Sequence, residues 1–254
     1  RDNQMATMKR LEKLNGFGNV QMVEVERPVP EADQLLVKVN RSLISRGSEI
    51  FRRYVLKEAV SPDIMGYSDA GQIIAVGKGI VELAVGQRVM VSAPHAQYVL
   101  GHETGPRKQA YALPDELGYE AATFLPLATS SVMWMRTTPI DPGQTVVILG
   151  QGIVGILCAQ IVRERSPGTV ITVDAQPLRC EISSNLGADH VIDVSKVNSV
   201  DVVKELTNGK GADVVIECVG GNAGIRSFEQ AQEMLGPEGV IHLISKYQGS
   251  PLPL

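Results

Sequence analysis

The sequence predicts an α/β unit built on a doubly wound parallel sheet, preceded by an all-β unit, and three observations support this fold class. Strand-like and helix-like segments alternate regularly from Thr145 onward. A glycine-rich turn, Gly150-Gln-Gly152-Ile-Val-Gly155, lies between the first such strand and the first such helix. Between 20 and 99, short strand-like runs follow one another with glycine turns between them. Alternating strands and helices are typical of parallel sheets, and short strands in series are typical of small barrels.

The N-terminal region, 1–122, is predicted to be a small β-barrel. Its apolar or alternating runs predict strands at 35–40, 71–76, 87–91 and 97–100. The segment 119–135 is rich in Ala, Leu and Met, which predicts one helix, or two helices interrupted at Pro126. We place the boundary between the two domains inside this helical segment, so that the second domain spans 123–254.

The C-terminal region alternates strands with helices at the spacing of a doubly wound sheet. Strands are predicted at 145–150, 170–174, 190–194, 212–219 and 239–245. Helices are predicted between them, at 153–165, 177–186, 199–207 and 225–235.

The glycine turn has the Gly-x-Gly-x-x-Gly spacing that lets a dinucleotide bind. Gly150 permits the tight turn, Gly152 lets backbone N–H groups approach a pyrophosphate, and Gly155 allows close helix–strand packing. The helix that begins here adds the partial positive charge of its N-terminus. The residues assigned to a cofactor site are Gly150, Gly152, Ile153, Val154 and Gly155, and a βα turn without a ligand is the alternative. Because dinucleotide-binding sheets have six strands, we expect the native protein to continue beyond these five strands.

An acidic residue, Asp174, ends the second predicted strand, 24 residues after Gly150. A carboxylate at this place accepts hydrogen bonds from the adenosine ribose hydroxyls of NAD and repels the 2′-phosphate of NADP. NADP sites usually combine a small residue here with a cation directly after it, whereas the first cation of this chain is Arg179. The sequence therefore favours NAD.

Composition and charge describe an ordinary soluble protein. Hydrophobic residues make up 44% of the 254 and charged residues 20%, and the net charge of −4 favours neither nucleic acid nor an anionic membrane as partner. No run approaches a membrane span, and the N-terminus lacks the apolar core of a signal peptide. The cysteines, Cys158, Cys180 and Cys218, are scattered and odd in number, which argues against a disulfide framework. We therefore expect a cytoplasmic protein with a small-molecule substrate.

A series of motifs in fixed order resembles the medium-chain dehydrogenase/reductase superfamily over nearly all of the chain. The motifs are Met65-Gly-Tyr-Ser-Asp-Ala-Gly71, Ile74-Ala-Val-Gly77, Val85-Gly-Gln-Arg-Val89, His95-Ala-Gln-Tyr-Val99, Leu113-Pro-Asp-Glu116 and the segment 121–131. The resemblance implies a chaperonin-10-like (GroES-like) β-barrel catalytic domain, a Rossmann nucleotide-binding domain and a C-terminal segment that returns to the first domain. It also implies a homodimer or homotetramer assembled through the nucleotide-binding domain.

The chain departs from the zinc-dependent members of that superfamily at every catalytic ligand position. Those members carry Cys, His and Cys where this chain has Ser45, Tyr67 and Pro126. Their four-cysteine loop for structural zinc is also missing from the sequence. A hydroxyl and a neutral phenol do not replace a thiolate and an imidazole around Zn²⁺. We therefore expect neither catalytic nor structural zinc.

The histidines give no substitute for these ligands. A second Gly-His-Glu sequence, at 101–103, lies outside the motif context and is predicted to form a surface loop. The remaining histidines, His95, His190 and His242, are predicted to be structural.

Without zinc, an oriented O–H or N–H donor must polarise a substrate carbonyl and supply the proton. The resemblance places Tyr67 where the zinc-binding His of relatives points into the cleft, which makes Tyr67 the first candidate for this donor. Ser45 and Ser48 lie in one loop and are candidates for relaying a proton, and Tyr54 is a further candidate. The alternatives are that Tyr67 only fills the volume vacated by the metal and that Ser48 caps a turn.

Further cofactor contacts are implied by the resemblance. They are Arg46 at the pyrophosphate, Thr129 and Ser130 at the nicotinamide ribose, and Arg179 beside Asp174 at the adenosine ribose. Val219 and Gly220 follow the fourth strand at the carboxyl edge of the sheet, where ligands bind in such folds. A glycine-rich turn without a ligand is the alternative for this segment.

The leading hypothesis is a zinc-independent oxidoreductase that transfers a hydride between NAD(H) and an alcohol or carbonyl substrate. The Ser45-Arg-Gly-Ser-Glu49 loop resembles a branch found beside sugar-modifying and biosynthetic enzymes, which favours a polyol, a sugar-like compound or a natural-product intermediate. One alternative is an NADPH-dependent quinone or enone reductase, which a preference for NADPH would indicate. The other is a non-catalytic nucleotide-binding protein, which absence of NADH turnover would indicate.

Overall fold

The computed structural model describes residues 6–165, 167–247 and Leu252. The chain divides into two compact units, Arg1–Pro126 and Leu127–Leu254. The first unit contains antiparallel sheets and the second a parallel sheet, so the predicted order of an all-β unit followed by an α/β unit is confirmed.

The first unit is built from seven strands among its described residues. They are β1 (Thr7–Lys13), β2 (Val20–Glu26), β3 (Leu35–Ser42), β4 (Asp69–Val76), β5 (Arg88–Val91), β6 (Tyr98–Gly101) and β7 (Ala110–Ala112). Strands β1 and β2 form a hairpin, and the others form an antiparallel sheet in the order β6-β3-β4-β5-β7. The core of this unit lies on the sheet and includes Leu35, Val37, Ile73 and Val89. Strands β1, β2 and β7 are not among the predicted strands; in β1 and β2 charged side chains interrupt the apolar positions, and β7 is only three residues long.

Two irregular segments in this part of the chain differ from the predictions. The connection from β3 to β4 contains one π-helical turn, Arg46–Ile50, which no sequence pattern indicated. The predicted helical segment forms α1 (Tyr119–Ala122) and α2 (Leu125–Thr137), so the interruption precedes Pro126. Pro126 lies in the first turn of α2, where its missing N–H has no intrahelical partner to lose.

The second unit alternates strands and helices as predicted. Its strands are β8 (Thr145–Leu149), β9 (Thr169–Asp174), β10 (His190–Asp193), β11 (Ala212–Glu217) and β12 (Leu235–Leu243). Its further helices are α3 (Ile153–Glu164), α4 (Pro177–Asn185), α5 (Ser199–Leu206) and α6 (Gly224–Met234). Strand β12 begins directly after α6, four residues earlier than predicted. All neighbouring strands are parallel, in the order β10-β9-β8-β11-β12.

Both faces of this parallel sheet are buried. Alternate residues of β8 enter two different cores, because successive side chains of a strand point to opposite faces. Val146 and Ile148 pack with Cys158 and Val162 of α3. Val147 and Leu149 pack with side chains of α5 and α6. The prediction of a doubly wound sheet is therefore confirmed, and the carboxyl ends of its strands define the edge where a ligand binds in such folds.

Within the described part of the chain, no helix combines the length and the apolar character that crossing a membrane requires.

Candidate active site

The glycine turn between β8 and α3 has the shape that a pyrophosphate requires. Gly150 has a φ of +85°, which favours glycine, and it turns the chain sharply after β8. A Cβ on Gly155 would lie 1.7 Å from the carbonyl oxygen of Gly150, so only glycine fits where the helix passes the turn. A Cβ on Gly152 would meet no atom within 4 Å, so the space before the N-terminus of α3 is open. Ile153 and Val154 begin the helix at this opening, where its dipole favours an anion.

Asp174 at the end of β9 links the glycine turn to the segment before α4 by hydrogen bonds. Its Oδ2 accepts the Gln151 N–H at 2.7 Å, and its Oδ1 accepts the Gln176 N–H at 2.9 Å. The Arg179 guanidinium lies 3.5 Å from Oδ2. Each carboxylate oxygen accepts more than one hydrogen bond, so Asp174 retains acceptor capacity for ribose hydroxyls. The bond to Gln151, inside the glycine turn, is not among the predicted contacts.

The segment after β11 is held by Glu217, a carboxylate that the structure buries completely. Its Oε1 accepts the N–H groups of Val219 at 2.8 Å and of Gly220 at 3.4 Å. Tyr247 donates its hydroxyl to Oε2, and burial together with this carboxylate raises the pKa of Tyr247. Val219 remains 41% exposed at the carboxyl edge of the sheet. Glu217 is therefore the residue that shapes this predicted cofactor segment.

The other predicted cofactor residues lie on α2 and at the start of the π-helical turn. Thr129 is exposed and Ser130 half-buried on α2. Arg46, at the start of the π-helical turn, places its guanidinium 4.9 Å from the centre of the Phe51 ring.

Two of the three cysteines, which are far apart in the sequence, are brought into one core by the fold. Cys158 of α3 and Cys218 pack in the same core, and the interaction of the two thiols lowers the pKa of Cys158 and raises that of Cys218. Parallel β-structure brings the end of β11 next to α3, which sequence separation alone does not indicate. Both thiols are free.

The first unit contains a buried carboxylate, Glu49, that is absent from the predicted site residues. Its Oε2 accepts the Ser45 N–H at 2.7 Å, and its Oε1 is 2.9 Å from His95 Nε2 and 3.3 Å from the Tyr54 hydroxyl. Burial opposes ionisation of Glu49, but the hydrogen bonds from His95 and Ser45 outweigh burial and lower its pKa. Burial and the neighbouring Glu49 charge raise the pKa of Tyr54, so this phenol keeps its proton. The predicted residues Ser45 and Tyr54 are thus brought together by Glu49.

His95 connects this carboxylate with the surface. Its ring is buried, and its Nδ1 shares a hydrogen bond with the hydroxyl of Ser42, which is exposed at the end of β3. A Cβ on Gly66 would lie 2.9 Å from the His95 ring, so the chain before Tyr67 packs directly on the imidazole. His95 therefore lies between Glu49 and solvent, a place that its position before β6 does not reveal.

A second buried carboxyl, Asp69 at the start of β4, lies beside this cluster. Burial raises the pKa of Asp69 to about 7, the Glu49 charge adds to the increase, and Ser42 and His95 oppose it. The Ser42 hydroxyl has its hydrogen bond with His95, and the Asp69 oxygens have no hydrogen-bond partner among the described residues. An ionisable group without a partner is expensive to keep buried, so it points to a role beyond packing.

The remaining candidates surround the cluster without joining it. The N–H of Ser48 donates to the Ser45 hydroxyl at 3.4 Å, so Ser45 rather than Ser48 caps the π-helical turn. Tyr67 is half-buried, directly after Gly66, whose φ of +122° requires glycine.

The side chains at the positions of the zinc ligands do not fit zinc. Ser45 and Tyr67 offer neutral oxygens and Pro126 offers no donor. In the described part of the chain no three His, Cys, Asp or Glu side chains are arranged to hold a metal ion.

The prediction of a surface loop at 101–103 is wrong for Glu103. Glu103 is 3% exposed, and its carboxylate accepts the N–H groups of Val81, Glu82 and Leu83. Three backbone donors satisfy this buried carboxylate, so Glu103 holds the loop at 81–83 in place by hydrogen bonds.

Comparisons with known proteins agree with this architecture. A family model described as zinc-binding dehydrogenase matches residues 154–254. Sorbitol dehydrogenase of Bacillus subtilis (strain 168) is 28% identical over 268 residues, covering 90% of this chain and 74% of that protein. D-arabitol-phosphate dehydrogenase of Enterococcus avium is 29% identical over 250 residues, covering 84% of this chain and 69% of that protein.

Among solved structures, a putative zinc-binding dehydrogenase from Sinorhizobium meliloti 1021, bound to NADP, is 26% identical. It covers 98% of this chain and 80% of its own, with a TM-score of 0.81. The fold, the order of the motifs and these matches are those of the medium-chain dehydrogenase/reductase superfamily. The protein is accordingly an oxidoreductase that uses a nicotinamide cofactor.

Proposed function

We propose that the protein is a zinc-independent dehydrogenase that uses NAD(H) to interconvert a secondary alcohol and a ketone on a polyol or sugar-like substrate. The observation that carries this proposal is the glycine turn bonded to Asp174, because it combines an open anion site with a carboxylate for ribose hydroxyls. The substrate class is supported by relatives that are named as sorbitol and D-arabitol-phosphate dehydrogenases.

The nucleotide edge of the second unit fits a dinucleotide. The N–H groups of Ile153 and Val154, in the first turn of α3, would meet the pyrophosphate across the open side of Gly152. Asp174 would accept the adenosine ribose hydroxyls, and its charge disfavours a 2′-phosphate there. When bound, the nicotinamide supplies or accepts the hydride.

The substrate oxygen needs a hydrogen-bond donor of the protein, because the side chains at the zinc-ligand positions do not fit the metal. Tyr67 is our proposed donor. The hydroxyl of Tyr54 already donates to Glu49, and Ser45 is occupied as the cap of the π-helical turn. A donor aimed at developing negative charge stabilises the transition state of carbonyl reduction.

An alternative is an NADPH-dependent quinone or enone reductase. The Arg179 guanidinium, 3.5 Å from Asp174, is a cation that could turn toward a 2′-phosphate, and the relative from Sinorhizobium meliloti is described with NADP bound. This alternative requires tighter binding of NADPH than of NADH, which the charge of Asp174 opposes.

The proposal is tested by transfer of deuterium from NADH labelled at C4 of the nicotinamide. The purified protein is incubated with fructose, xylulose or acetoin and with the label in either C4 position, and the alcohol product is examined by mass spectrometry. We expect one label position to deliver deuterium to the carbinol carbon of at least one product. Absence of labelled alcohol with every ketone, together with reduction of a quinone by NADPH, would establish the alternative.

A further inference from the structure

A completely buried glutamine stands between the first two glycines of the glycine turn. The side chain of Gln151 lies beside the first turn of α3, since a Cβ on Gly155 would be 3.5 Å from its Nε2. This nitrogen donates to the carbonyl oxygen of Ile148 in β8 at 3.1 Å. A buried amide is costly unless it is hydrogen-bonded, so the partners of the Gln151 side chain indicate what it does.

The amide oxygen of Gln151 contacts helix α4. Ser183 Oγ is 3.3 Å from Gln151 Oε1 and 2.7 Å from Thr172 Oγ1 of β9. Ser183 and Thr172 are buried as well. Because a hydroxyl both donates and accepts, Ser183 makes both bonds at once. The three side chains therefore form a buried polar network that joins the glycine turn to β9 and to α4.

This network connects the two parts of the proposed cofactor site. The glycine turn is the pyrophosphate part, and Asp174 with Arg179 is the ribose part. Asp174 follows Thr172 by two residues at the end of β9. Arg179 precedes Ser183 by four residues, about one turn earlier on α4. The bond from the Gln151 N–H to Asp174 Oδ2 joins the two parts at one point, and the side-chain network joins them at a second. Two separate points restrict both the distance and the rotation between the parts.

We propose that Gln151 and Ser183 are positioning residues that hold the pyrophosphate part and the ribose part at the separation that a dinucleotide requires. The inference rests on the proposed function, which assigns these two parts to the cofactor. Both side chains act on the ligand only through the backbone of the turn and through α4. A ligand that contacts both parts gains affinity from their fixed separation, because no binding energy is used to order them. A ligand that contacts one part gains nothing from it.

The test compares two ligands that differ in the number of parts they contact. ADP-ribose contains the adenosine ribose and the pyrophosphate, whereas adenosine contains the ribose alone. Ser183→Ala removes the hydroxyl that bonds Gln151 and leaves the Gln151 bond to Ile148 in place. Ser184→Ala is the matched control, because Ser184 is the exposed neighbour on the same helix. Binding of ADP-ribose and NADH is measured by calorimetry, binding of adenosine by NMR titration, and the fold by circular dichroism.

We expect Ser183→Ala to weaken binding of ADP-ribose and NADH about tenfold and of adenosine less than about twofold, with kcat at saturating NADH unchanged. Gln151→Leu, which keeps the approximate size of the side chain, should weaken the same two ligands. The double variant should bind them no more weakly than Gln151→Leu alone, since both changes break the same hydrogen bond. Ser184→Ala should match the wild type in every measurement.

Wild-type affinity for ADP-ribose in both Ser183→Ala and Gln151→Leu would overturn the inference. An equal loss of affinity for ADP-ribose and adenosine would also overturn it, because it would indicate a general loosening of the unit. A wild-type protein that binds ADP-ribose but transfers no deuterium to any ketone would overturn the proposed function and leave the positioning role intact. A wild-type protein that binds no ADP-ribose would remove both.

Discussion

The buried carboxyl of Asp69 predicts how the stability of the first unit depends on pH. Its pKa of about 7 in the folded protein lies above the ordinary value of 3.8. The folded state therefore binds the Asp69 proton more tightly than the unfolded state does. The contribution of this proton to the free energy of unfolding is complete below pH 4 and is lost as the pH rises toward 7. At about 1.4 kcal/mol for each pKa unit, the interval from pH 5 to pH 7 accounts for about 3 kcal/mol.

The perturbation is Asp69→Asn, which keeps the size of the side chain and cannot ionise. The free energy of unfolding of the variant minus that of the wild type should rise by about 3 kcal/mol from pH 5 to pH 8, because only the wild type loses stability as Asp69 ionises. Urea unfolding of the full chain followed by circular dichroism gives the free energy of unfolding at each pH. Asp115→Asn is the matched control, since Asp115 is an exposed aspartate of the same unit. A difference between Asp69→Asn and wild type that stays constant over this range would refute the reasoning, as would the same change in the control.

Two further predictions concern the cofactor and the substrate donor. NAD(H) should bind at least about tenfold more tightly than NADP(H), or about 1.4 kcal/mol. Asp174→Asn removes the charge but keeps an acceptor for a backbone N–H, and it should reduce the preference for NAD(H) over NADP(H). Equal affinities of the wild type for the two cofactors, measured by calorimetry, would contradict the role of Asp174. Tyr67→Phe should lower kcat on the order of a hundredfold without weakening NADH binding. A kcat within about threefold of wild type, less than 1 kcal/mol of barrier, would show that Tyr67 only fills space.

The parallel-sheet unit could be predicted from the sequence because its signals are local. Gly150 and Gly155 are dictated by a positive φ and by a contact of 1.7 Å between neighbouring parts of one turn. Strands β8 to β11 follow the predicted segments closely, because fully buried strands appear as apolar runs bounded by turns.

The acid–base cluster could not be predicted because it joins residues that are distant in the chain. Glu49 and His95 are 46 positions apart, and Ser42 and His95 are 53 apart. Their contact depends on the packing of the π-helical turn against the segment before β6. No short spacing marks such a contact, and the motif order pointed to Tyr67 and Ser45 instead.

For Glu103 the sequence led to a wrong prediction rather than a missed contact. Its Gly-His-Glu sequence resembles a ligand motif and its polarity suggested a surface loop. The structure buries the carboxylate under three backbone N–H groups, because the loop at 81–83 has donors that no strand satisfies. Polarity alone does not predict exposure where a carboxylate replaces missing backbone acceptors.

We propose that hydride transfer in this protein proceeds without zinc, and turnover in a sample of known metal content tests this most directly. The protein is treated with a strong chelator, its zinc is measured by elemental analysis, and deuterium transfer from labelled NADH to the ketone is measured on the same sample. We predict far less than one zinc per chain and an undiminished rate of transfer. One zinc per chain in the untreated protein, with a rate that falls as zinc is removed and recovers when zinc is returned, would contradict the claim.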